Sequence, residues 1–230
     1  MNQIIPESHR PASGSRRAAL RTTGVLLLAL ATGLTGCGDE ETPEGATPTP
    51  DADAAAAVPV DAPPRDAFFA NLAEHCGEAF PGGLAVAPPG DDMLEGDELL
   101  VVHFRECEDE ELRIPFHIEQ MDGEWDRSRT WIIRKVDDRL ELRHDHREPD
   151  GTESEVTQYG GFTETPGAAN RQEFRYDQEY ADGSVRGWRI IIEPGVEYVY
   201  GTIRNGEWTW RVDFDLSEPL DSPPPAPWGH

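Results

Sequence analysis

From residue 99 onward, apolar and polar positions alternate with a period of two, as in half-buried strands. Turn residues punctuate the alternation at short intervals. The clearest stretch is 207–216 (EWTWRVDFDL). It sets Trp208, Trp210, Val212, Phe214 and Leu216 on one face and Glu207, Thr209, Arg211, Asp213 and Asp215 on the other. Residues 139–147 (RLELRHDHR) turn Leu140, Leu142, His144 and His146 toward a core. Their other face, Arg139, Glu141, Arg143, Asp145 and Arg147, alternates in sign and reads as solvated. Leu112, Ile114, Phe116 and Ile118 form a further stripe, interrupted by Pro115, which cannot donate to a ladder and predicts an edge or a bulge. Residues 99–107 (LLVVHFREC) are apolar on both faces over their first half, as expected of a strand covered on both sides. Further strands are predicted over 130–136, 152–159, 171–176, 185–193 and 196–204. Asp137-Asp138, Pro149-Asp150-Gly151, Pro194-Gly195 and Asn205-Gly206 supply turns, the last a strong hairpin signal.

Ahead of the strands the period is helical. Asp66 can N-cap a short helix carrying Phe68, Phe69, Leu72 and Ala73 on its apolar side, and Gly77 stops it. A sequential series of strands with short turns predicts an all-β antiparallel meander. Curling removes exposed edges, so the expected fold is a lipocalin-like up-and-down barrel with one short N-terminal helix, over residues 66–216. A two-sheet sandwich is the alternative. Residues 217–230 are proline-rich and predict a polyproline-like tail, with Trp228 folding back onto the domain.

The N-terminal part reads differently. Arg10, Arg16, Arg17 and Arg21 precede an apolar run over residues 25–34, and residues 34–37 (LTGC) resemble a bacterial lipobox. The apolar run is shorter than the roughly 20 residues a spanning helix needs. Residues 1–36 are therefore expected to be a lipoprotein signal peptide, removed to leave an acylated Cys37, with palmitate among the expected chains. The paired arginines also resemble a twin-arginine export signal, but paired arginines are common in such leaders and the ordinary secretory route is the better fit. Residues 37–65, acidic and rich in proline and alanine, cannot bury enough apolar surface to order and predict a disordered tether. These features imply a lipid-anchored envelope protein, held to the bilayer through Cys37, at the outer membrane facing the periplasm.

Charge narrows the partners. The chain has 20 basic and 45 acidic residues, a formal charge of −25. Four arginines and one glutamate precede Cys37, which leaves 16 basic and 44 acidic residues and a charge of −28. Nucleic acid and anionic headgroups are repelled by such a surface. Of three cysteines, Cys37 is assigned to lipid, and Cys76 and Cys107 predict a disulfide in an oxidising compartment. That bridge is expected to pin the helix across the second face of the 99–107 strand.

Candidate chemistry is sparse. His144 and His146 share a face and could converge on a divalent metal, with His117, His103 or a carboxylate as third ligand. That gives one alternative, a metal-dependent hydrolase. Arg127 and Arg129 could hold an anionic ligand bidentately, and Trp208 and Trp210 could line its cavity. No catalytic motif is present, so no catalytic residue is assigned and no cofactor is required. The segments DRSRTW (residues 126–131) and HDHR (residues 144–147), with Asp150-Gly151, resemble a family of small exported proteins and lipoproteins of Gram-negative bacteria, over residues 68–228. The resemblance implies a class and no mechanism. The expected role is a binding or structural module for a small ligand or an envelope protein, more than an enzyme.

Overall fold

The computed structural model describes residues 62–91 and 93–230. The expected leader, the expected lipidation site at Cys37 and most of the expected tether fall outside the described residues. One helix, α1 (Pro64–Ala73), precedes eleven strands among these residues. They are β1 (Ala79–Val86), β2 (Leu100–His103), β3 (Glu106–Cys107), β4 (Glu111–Glu119), β5 (Trp125–Val136), β6 (Arg139–His146), β7 (Tyr159–Thr163), β8 (Arg171–Tyr176), β9 (Arg186–Glu193), β10 (Glu197–Arg204) and β11 (Glu207–Asp215). All pairings between them are antiparallel, in the order β2-β1-β11-β10-β9-β8-β7-β6-β5-β4-β3. β2 also pairs with β4, which closes the sheet. Because β2 and β3 lie end to end along β4, the result is a closed barrel of ten staves, not a sandwich.

Two differences from the expected strands have local causes, and the irregularity expected at Pro115 is present. β1 (AFPGGLAV) was not anticipated, because Pro81, Gly82 and Gly83 break its alternation, yet it is the stave that joins β2 to β11. Residues 152–158 form a connection instead of a strand, and the stave there is β7 (YGGFT). A Cβ at Gly160 would lie 1.8 Å from the Leu142 carbonyl oxygen, and one at Gly161 1.6 Å from that of Arg175. Glycine is what lets β7 fit between β6 and β8. Pro115 sits where β4 leaves β2 and has not yet met β3, next to a register shift between Phe116 and Ile118. The missing donor costs nothing there.

α1 starts earlier than Asp66. Pro64 takes the first turn, where its absent N–H is not needed and its fixed φ suits the helix. Asp66 lies inside that turn, favourably placed for the helix dipole. The helix lies across one end of the barrel, as its partners show. Arg65 donates to the Asp138 carbonyl, Asn71 Nδ2 to the Ala169 carbonyl (2.9 Å), and His75 Nε2 accepts from Gly195 N–H (3.3 Å). Lys135 Nζ lies 4.4 Å from the Phe69 ring centre. All four are at or next to the connections joining β5 to β6, β7 to β8 and β9 to β10, so Phe68 and Leu72, both fully buried, plug that end.

The Cys76–Cys107 disulfide is present, with Cα atoms 6.1 Å apart. It ties the segment after α1 to β3 at the plugged end and does not lay the helix over β2. The outward face of β2 and β4, Val101, His103 and His117, is buried for another reason. Leu220 N–H donates to the Ala79 carbonyl (2.8 Å), Arg127 Nη1 to the Ala226 carbonyl (2.8 Å), and Trp228 N–H to the Arg127 carbonyl (3.1 Å). The tail between these points crosses β2 and β4 on the outside of the barrel, so Trp228 does fold back.

Candidate functional site

At the end opposite α1 the inward side chains line a small pocket, open to solvent at its rim, with about 40 Å³ of free interior space. Strand parity and register build it. Trp131 pairs with His144 and Arg129 with His146 across β5 and β6. Tyr159 comes from β7, Trp188 from β9, Tyr200 and Thr202 from β10, Trp210 from β11, and Phe116 from β4. Met93, in the β1–β2 connection, reaches over the rim. The walls are largely aromatic. Trp131 stacks on Tyr200 (3.9 Å between centroids) and on Phe116 (5.1 Å), and His144 stacks on Tyr159 (4.6 Å).

His144 is a structural histidine. Its Nδ1 lies 3.1 Å from the Tyr159 carbonyl, which can only accept, so Nδ1 carries the proton. Nε2 then accepts from the Tyr200 hydroxyl. Burial holds its pKa down at about 3, so the ring is neutral at pH 7. Burial and then Arg129 lower His146 to about 4. Its Nε2 lies 3.3 Å from the Tyr159 hydroxyl.

This arrangement does not suit the metal expected at His144 and His146. Both nitrogens of His144 are engaged, and the two rings lie 6.5 Å apart at an angle of 86°, so their lone pairs do not converge. His103 and His117 point outward from β2 and β4 and cannot complete the set. Among the described residues no group of three or more His, Cys, Asp or Glu side chains is placed to hold a metal ion.

Of the four residues expected to touch a ligand, the structure brings Arg129 and Trp210 together at the pocket. Arg127 is outside, holding Ala226 and lying 5.9 Å from the Trp228 ring. Trp208 is also outside. A register shift between Thr202 and Ile203 breaks the parity of β11, so Trp208 does not follow Trp210 inward. It lies over Gly201, where a Cβ would come within 3.0 Å of its ring, and beneath Arg189 (4.8 Å). Asp145 departs from the solvated face expected for it. It is buried on the outside, accepting from Arg147 Nε (2.9 Å) and Gln158 Nε2 (3.0 Å), with His230 Nε2 at 2.8 Å. Burial pushes its carboxyl up, but Arg147 and His230 outweigh it and hold the group below the usual range.

Among the described residues Arg129 is the one cation in the pocket wall. Its Nη1 donates to Asp126 Oδ2 and to Ser128 Oγ, both at 2.8 Å. Burial alone would raise the Asp126 carboxyl, yet Arg129 and Ser128 keep it ionised and low. Trp210 Nε1 is buried without a partner. Sequence inspection did not single out Trp131, Tyr159, Trp188 or Tyr200. Inward parity was the available signal, but choosing among the many inward aromatics requires knowing which end the helix fills.

The chain matches no protein-family model, no curated protein and no solved structure.

Proposed function

We propose that this chain is a ligand-binding module, a lipocalin-like barrel that takes a small molecule at its open mouth while an acylated Cys37 holds it at the outer membrane. The observation that carries the binding half is the asymmetry of the barrel. One end is filled by Phe68 and Leu72, whereas the other keeps an aromatic-walled pocket with a few polar groups. Apolar walls with a small number of placed polar groups are the usual make-up of a small-molecule site. Saturation-transfer NMR with a mixture of small aromatic compounds tests it, comparing the wild type with Thr202→Phe, which fills the pocket from β10. Signals from the wild type that vanish in the variant are expected; equal signals from both would move any contact elsewhere and overturn the proposal.

The anchoring half is supported by the lipobox-like LTGC and by the acidic, proline-rich run behind it. No helix among the described residues is long and apolar enough to cross a membrane. Lipidation at one sulfur would then set membrane association, since two or more acyl chains anchor stably. Cys37→Ser should abolish the acylated N-terminus, read by mass spectrometry of the membrane fraction. An unchanged, acylated product from that variant would end the idea.

A further inference from the structure

Arg129 shows what kind of molecule the pocket is built for. A guanidinium offers its donors as a rigid planar fork. Here Nη1 is occupied by Asp126 and Ser128. Nε–H and the Nη2–H that lies parallel to it have no partner in the protein, and neither nitrogen is sealed from solvent. Those two donors form the side of the fork that matches the two oxygens of a carboxylate. The residue lines the pocket next to Trp131 and Tyr159, so a group bound there would carry its body against aromatic rings.

We propose, resting on the binding role above, that the mouth selects a small aromatic carboxylate, held bidentately by Arg129 Nε and Nη2 with its ring at the rim against the partly exposed Tyr159. Two features oppose it and both are outweighed. The chain is strongly acidic, with a formal charge of −25, but charges beyond a Debye length, about 8 Å at physiological ionic strength, are largely screened. The nearest acid, Asp126, is already spent on Nη1. At neighbouring His146 the influence of Arg129 exceeds that of either Asp126 or Asp145 taken singly. An aromatic pocket can also take a cation over its ring faces, but a guanidinium in the wall makes that unfavourable.

Three probes with one phenyl body decide the matter on the full-length chain by titration calorimetry: benzoate, benzyl alcohol and benzyltrimethylammonium. Benzoate should bind on the order of tenfold or more tighter than the other two, as charge-assisted hydrogen bonds allow. Arg129→Gln should remove that preference. Arg129→Lys keeps the charge and the Asp126 ion pair but loses the fork, and should keep only a minor part of it. Unchanged melting temperatures of the variants establish that the fold is retained. Benzyl alcohol or benzyltrimethylammonium binding as well as benzoate, or a full benzoate preference surviving in Arg129→Gln, would overturn the carboxylate while leaving a ligand-binding mouth. Failure of all three probes would instead count against the binding role itself.

Discussion

The two ends of this barrel are made from the same alternating strands and do opposite things. At the plugged end the helix drives Phe68 and Leu72 into the interior and a disulfide locks the segment after it to β3. Among the described residues the buried polar atoms left there without a partner include the Tyr198 hydroxyl, deep in the core, and Gln172 Oε1. At the mouth the inward positions carry Arg129, His144, His146 and Thr202, and the space between them stays partly open. The difference teaches where stability and function are kept apart. Apolar burial and the crosslink hold the ring of staves at one end, so the other can carry charge and unfilled volume.

Breaking the plug should have the largest effect. Phe68→Ala removes a fully buried ring from the closed end and should cost about 3–5 kcal/mol, measured by denaturant unfolding. Probe binding at the mouth should be retained wherever the protein remains folded. A loss much below that range would mean the helix is a loosely held lid and the ends are less different than they look.

Acid should have an intermediate effect. Burial holds His117 and His144 at about 3 and His146 at about 4, against an ordinary value near 6.5. Above that value all three are neutral in the folded and unfolded chain alike, and their contribution is fully present. As the pH falls below about 6.5 the unfolded chain binds protons that the native state refuses, so stability drops, by up to about 1.4 kcal/mol per pH unit for each histidine, until the folded values are reached. His117 makes the sharper test. It is outward, fully buried under the tail and has no partner for either ring nitrogen. His117→Phe should flatten the slope of stability against pH between 6.5 and 4, without altering the mouth. An unchanged slope would show that this histidine is not kept neutral.

The smallest effect belongs to the mouth. Arg129→Lys should change stability by about 1 kcal/mol or less, since a partly exposed ion pair contributes little. Chemical denaturation checks it. A loss as large as that of Phe68→Ala would make Arg129 a structural residue and erase the contrast between the ends.

Much of this is legible in the sequence. The alternation of β4, β6 and β11 identified most inward residues, because a strand puts successive side chains on opposite faces whatever surrounds it. The Asn205-Gly206 hairpin follows from the same local rules, with both residues at positive φ (51° and 82°). Pairing Cys76 with Cys107 needed only elimination. The closing stave β1 escaped notice because its proline and glycines look like a loop. They are tolerated because β11 comes so close that a Cβ at Gly82 would lie 2.3 Å from the Asp213 carbonyl oxygen.

By itself the sequence determined the all-β meander, the single helix ahead of it, the disulfide pair and the inward stripes, since each depends on local periodicity or on counting. Tertiary structure alone decided that the helix fills one end rather than covering β2, and that the proline-rich tail covers the outward histidines instead. It also decided that a register shift turns Trp208 out while Trp210 stays in, and that His144 is closed off by Tyr159 and Tyr200. These are contacts between residues far apart in the chain. They are settled by which apolar surfaces remain to be covered once the barrel has closed, and no short window of sequence carries that information.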